Sequence, residues 1–97
     1  MSLKSELITA AETACVDYIQ SDGTRLKMGE ILGPEECEHF RQWMQDKVSE
    51  ALNGDVTVTL FDETESFHVS VSRDGEYEDV TYGYTLGTRI DVDGDGQ

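Results

Sequence analysis

DVTVTLFDETESFHVSVSRDGEYEDVTYGYTL, residues 55–86, alternates apolar and polar side chains along most of its length. That is the period of a half-buried β-strand. Two turns divide the stretch. Asp74-Gly75 within RDGE suits the positive φ angles of a two-residue hairpin loop, and DETE, residues 62–65, closes as a four-residue loop. If Arg73 pairs with Glu76, paired residue numbers sum to 149, so Val69 faces Val80 and Phe67 faces Tyr82. Closing the first loop pairs Phe61 with Ser66, a sum of 127, and sets Leu60 against Phe67, Val58 against Val69 and Val56 against Val71. Both registers deliver one shared apolar face, and a slip of one residue would turn those side chains to the other side. Three antiparallel strands are expected, with GTRIDV after Leu86 carrying the composition of a fourth, short one.

An apolar face of this size needs a cover, and the residues before Gly54 supply it. Leu7, Ala11, Ala14 and Tyr18, joined by Ile8, Cys15 and Ile19, recur at three- and four-residue spacing, which predicts a helix from Ser2 to Gln20 stopped by Asp22-Gly23. A second helix is expected from Pro34, with Glu35 and Glu36 where the helix dipole favours negative charge. Its stripe is Cys37, Phe40, Met44, Val48, Ala51 and Leu52, with Trp43 on the flank and Asn53-Gly54 as a left-handed stop. TRLKMGEIL, between the helices, reads as a connector with marginal strand character. The fold class is therefore α+β, in the order α-α-β-β-β: two helices on one face of a three-stranded meander, or a four-stranded one if GTRIDV joins. A single domain over residues 1–90 and an acidic, flexible tail over residues 91–97 complete the expected organisation.

At 97 residues, 37% hydrophobic and 29% charged, the chain has the composition of one small globular domain with a single core, too short for a cleft between two lobes. No run of about eighteen apolar residues is present, and no signal-peptide pattern opens the sequence, so a cytoplasmic protein is the expectation. Cys15 and Cys37 each sit in a helical apolar stripe and read as small buried hydrophobes rather than a disulfide. Zinc would need Cys15, Cys37, His39 and His68 gathered together, but Cys37 and His39 diverge on one helix.

Charge is the strongest global signal, with 21 acids against 7 bases and a net charge of −14. Residues 1–54 carry 10 acids and 5 bases, and residues 55–97 carry 11 and 2, so the C-terminal half is the more anionic. Direct binding to nucleic acid or to an anionic membrane is disfavoured, because phosphate recognition works through Lys and Arg. A charge-steered partner should be a basic protein. The acids cluster in four places: Glu35, Glu36 and Glu38 at a helix start; Asp62, Glu63 and Glu65 in one turn; Asp74, Glu76, Glu78 and Asp79 about the other; and Asp91, Asp93 and Asp95 in the tail. The first three groups are the candidate partner-binding residues. The two turns lie at opposite ends of the middle strand, roughly 20 to 25 Å apart, a spacing compatible with imitation of a nucleic-acid backbone.

The sheet face opposite the valines carries Thr57, Thr59, Phe61, Ser66, His68, Ser70, Ser72, Tyr77, Asp79 and Thr81. It reads as a solvated β-face or as a binding platform with two aromatic rings. His68, Ser70 and Asp79 share it, but a flat sheet provides neither an oxyanion hole nor exclusion of water, and no catalytic residues are assigned. DVDGDGQ, residues 91–97, matches the first seven positions of an EF-hand loop, with Asp91, Asp93 and Asp95 as candidate ligands, Gly96 at the turn and no closing glutamate. Weak Ca²⁺ binding is the most this tail supports; no other cofactor is expected. The expected function is a non-enzymatic acidic protein-interaction module, an inhibitor or nucleic-acid mimic. The alternatives are a calcium-responsive fragment of a longer protein and an ordinary cytosolic domain adapted to high salt.

Overall fold

A computed structural model describes residues 2–90 of the chain; the candidate calcium ligands Asp91, Asp93 and Asp95, and the expected tail as a whole, lie outside the described residues. Helix α1 spans Leu3–Val16, a 3-10 turn covers Pro34–Glu36, α2 spans Cys37–Leu52, and strands β1 (Asp55–Phe61), β2 (Ser66–Arg73) and β3 (Glu76–Gly83) follow. The sheet order is β1-β2-β3, antiparallel throughout, and both registers are those of the sequence arithmetic: Val58 pairs with Val69, Leu60 with Phe67, Val69 with Val80 and Arg73 with Glu76. Asp74 and Gly75 take φ of 54° and 81°, the doubly left-handed geometry that Asp-Gly tolerates in a two-residue loop.

The two helices lie on one face of this sheet, α1 over β3 and α2 over β1. Val56, Val58, Val69, Val71 and Val80 all point into the resulting core and are buried. They meet Leu7, Ala11, Ala14 and Cys15 from α1, and Phe40, Met44, Val48 and Leu52 from α2. Rings thread the middle: Tyr18 stands edge-on to Phe40 at 5.0 Å, Phe40 edge-on to Phe67 at 4.9 Å, and Phe67 stacks on Tyr82 at 5.5 Å. Edge-to-face pairing suits the ring quadrupole and adds to the area buried. Polar stitches close the rim. Arg73, at the end of β2, donates to the Leu52 carbonyl and pairs with Glu6 at 3.2 Å, joining the sheet to both helices.

Several sequence expectations are corrected, the first being that the second helix begins not at Pro34 but at Cys37, Pro34–Glu36 forming a tighter 3-10 turn ahead of it. Helix α1 ends at Val16 rather than Gln20, because a small Asx turn takes over: Asp22 accepts from the Thr24 amide and hydroxyl, and Ile19 bridges Arg25. Arg25 then reaches back to the exposed Val16 carbonyl, and Trp43 Nε1 donates to the Ala14 carbonyl, so groups orphaned at the helix end find donors. Strand β3 stops at Gly83 rather than running on to Leu86. Residues 84–86 turn away and pair with the connector instead, with Gly29 N donating to Leu86 O, Leu86 N to Glu30 O and Leu32 N to Tyr84 O. Among the described residues, Thr88–Ile90 fold back on the outer edge of β3 through one bridge, Arg89 to Tyr82, and form no named strand there; the end of GTRIDV, Asp91 and Val92, lies outside the described residues. Finally, Ser66 is buried beside Thr64 rather than solvated, and Ala51 is exposed. Among the described residues, no helix is long and apolar enough to cross a membrane.

Candidate interaction surface

Acidic side chains bear on function only to the degree that the fold leaves them free, and this chain sorts them sharply. Glu36 is engaged internally. Its carboxylate accepts from the Tyr18 hydroxyl at 2.7 Å, from the Ser21 amide at 3.1 Å and from the Ser21 hydroxyl. The Ser21 hydroxyl first, and the Tyr18 hydroxyl second, hold its carboxyl below the usual carboxylate range. Burial, reinforced by that bond to Glu36, pushes the Tyr18 phenol up. His39 Nδ1 lies 2.9 Å from the same phenol oxygen. Tyr18 has one proton and Glu36 only accepts, so that proton goes to Glu36 and His39 Nδ1 carries the hydrogen it donates to Tyr18.

Glu38 faces outward but is gripped by Arg41, whose guanidinium fork meets both of its oxygens. That pairing holds its carboxyl low and cancels most of its field. Asp79 faces His68 Nε2 at 3.1 Å, while its backbone carbonyl accepts from Lys4. Glu78 lies opposite Val71, on the helix-covered side of the edge strand, and is half-buried. In contrast, Glu35, Glu63, Glu65, Asp74 and Glu76 are exposed. Among the described residues, neither Lys nor Arg pairs with any of these five or with Asp62.

Tertiary structure then does something the linear pattern does not show: it brings the helix-start acids and the first turn to one end of the molecule. The link is Tyr84. Its amide donates to the Glu65 carbonyl at 2.8 Å, its carbonyl accepts from Leu32, and its hydroxyl donates to Asp62 Oδ1 at 2.7 Å. Burial, with the bond to Asp62 second, raises the phenol's pKa, so Tyr84 stays a donor and fixes the Asp62 carboxylate in place. Around it lies a cavity of about 540 Å³. Leu32, Cys37, Leu60 and Tyr84 line its inner part, Ile31 and Pro34 its apolar rim, and Glu38, Asp62 and Glu65 its acidic rim. Ile31 is 68% exposed, the most exposed large apolar side chain of the described residues. Glu65, at φ 50°, is held in the left-handed region by the turn, which a glycine would occupy without strain.

The second acidic turn, with Asp74 and Glu76, stays at the far end of β2 and is not brought to this cavity. Another cavity, about 420 Å³, runs between the helices and is lined by Ala10, Ala14 and Leu52, with Glu6, Asp17 and Lys47 at its margin. Its mixed charge selects neither sign. On the open sheet face His68 Nε2 lies 3.1 Å from Asp79 Oδ2, with Ser70 paired opposite Asp79 across the hairpin. Among the described residues, no three His, Cys, Asp or Glu side chains gather as a metal site. The chain matches no family model, no curated protein and no solved structure.

Proposed function

We propose that this chain is a non-enzymatic acidic interaction module that docks on a basic protein, occupying a surface that would otherwise hold nucleic acid. One observation carries the proposal: Asp62, Glu63 and Glu65 share an end of the molecule with the start of α2, and no Lys or Arg of the described residues pairs with them. Carboxylates crowded without counter-charge repel one another, and a cationic partner relieves that repulsion when it binds. The −14 net charge steers such a partner in and turns polyanions away. We place this encounter in the cytoplasm, where the two free cysteines stay reduced.

The test is calorimetric titration of the full chain with a lysine- and arginine-rich 20-residue peptide at 20 and 150 mM KCl. Two triple variants are compared: Asp62→Asn/Glu63→Gln/Glu65→Gln, and Glu12→Gln/Asp46→Asn/Glu50→Gln, which removes equal charge from exposed helical positions. Each turn carboxylate facing a cation at about 6 Å contributes roughly 0.5 kcal/mol at low salt, so losing three weakens binding about tenfold. The helical triple should lose less than threefold. Equal losses in the two variants would show that only net charge matters, and would sink the proposed docking end.

A further inference from the structure

We infer that the cavity at the acidic end receives a specific short segment of the partner, an arginine next to an apolar residue. This rests on the docking function proposed above and goes beyond it. A surface that imitates nucleic acid needs only displayed charge. This end has in addition a recess lined by Leu32, Leu60 and Tyr84. Its volume of about 540 Å³ lies within the ~300 to 1,000 Å³ range of ligand pockets.

Which occupant the recess selects follows from its two halves. An apolar inner wall beside the exposed Ile31 favours an aliphatic side chain, and a rim of one charge sign favours a cation beside it. Two acceptors remain on that rim. Asp62 has committed Oδ1 to Tyr84 and keeps Oδ2, and Glu65 is unpaired among the described residues, whereas Glu38 is taken by Arg41. A guanidinium offers five donors in a planar fork and meets two carboxylates at once, while its aliphatic stem lies along apolar surface; an ammonium is a hydrated point charge without that fork. Arginine is therefore the cation, with Ile31 and Leu60 covering its apolar neighbour.

Methyl NMR of the full chain at 20 mM KCl, titrated with three nine-residue peptides of equal charge, tests this. One alternates leucine with arginine, one serine with arginine, and one leucine with lysine. Saturable shifts at Ile31, Leu32 and Leu60 are expected with the leucine–arginine peptide, at least tenfold tighter binding than with serine–arginine, and severalfold tighter than with leucine–lysine. Ile31→Ser, an exposed change that leaves the core intact, should erase most of the leucine preference. Equal affinity of the leucine–arginine and serine–arginine peptides, or shifts at Leu52 and Ala14 instead, overturns the inference while leaving charge-driven docking standing. Equal binding of the lysine peptide overturns the choice of arginine. No binding by any of the three overturns the docking function and the inference together.

Discussion

Val69 is the residue on which the sheet's register can be tried most directly. It sits in the middle of the central strand, between Val58 on β1 and Val80 on β3, and is fully buried. Val69→Ala deletes two methyl groups. Their transfer to water accounts for about 1.6 kcal/mol, and an unrelaxed void of methyl-pair size adds about 1 kcal/mol, for a loss of roughly 2.5 kcal/mol. For a domain of this length that lowers Tm by roughly 10 to 20 °C. Urea unfolding followed by the fluorescence of Trp43, the single tryptophan, measures it. The m value should stay at that of the parent chain, since the surface exposed on unfolding hardly changes. Ser70→Ala is the control. One residue along and on the opposite face, it should stay within about 0.5 kcal/mol of the parent. Similar losses in the two variants would mean that the valine face is not the buried one, and the helix-covered sheet would have to be abandoned.

Two further outcomes follow from ionisable groups in the fold. Glu36 has its folded pKa depressed, so it contributes stability above the unfolded glutamate value of about 4.3 and loses it as pH falls through the lower folded value. Glu36→Gln should therefore be less stable than the parent chain at pH 6, with the gap in urea midpoints closing toward pH 3; a gap that stays constant or widens on acidification contradicts this. Burial, with the Glu12 charge second, pushes the Cys15 thiol up to about 12; burial raises the Cys37 thiol as well, but Cys37 lines the cavity and is only half-buried, so a reagent can reach it. An aromatic disulfide reagent at pH 8 should thus modify Cys37 in the folded chain and Cys15 only in urea. Equal rates for the two thiols without denaturant would show the core around Cys15 to be open.

Much of the fold was legible in the chain because its decisive signals are local. The DG dipeptide sets its own backbone angles, Pro34 opens the 3-10 turn that leads into α2, Asn53-Gly54 stops that helix, and alternation between adjacent strands fixes which valines face one another. The errors fell where a local period continues while its partner changes. TYGYTL alternates as well as VTVTL does, yet beyond Gly83 the hydrogen bonds run to residues 29–32 and not to β2. The apolar spacing of α1 likewise continues to Tyr18 and Ile19, but the Asp22 turn claims that backbone. Of the candidate site, the acids themselves could be named in advance. Their availability could not: Glu36 and Glu38 differ from Glu35 only through Tyr18, Ser21 and Arg41, contacts that residue spacing does not encode beyond the Glu38–Arg41 turn.

Sequence alone determined the composition of the layers, the two registers and the anionic character, since periodicity, turn chemistry and charge counting involve neighbours along the chain. Tertiary structure alone decided that Tyr84 leaves the sheet, bonds to Asp62 and encloses a recess with Ile31 and Leu32. The physical reason is that such a recess is built from three segments far apart in sequence, held by hydrogen bonds between residues that no local period or turn signal relates.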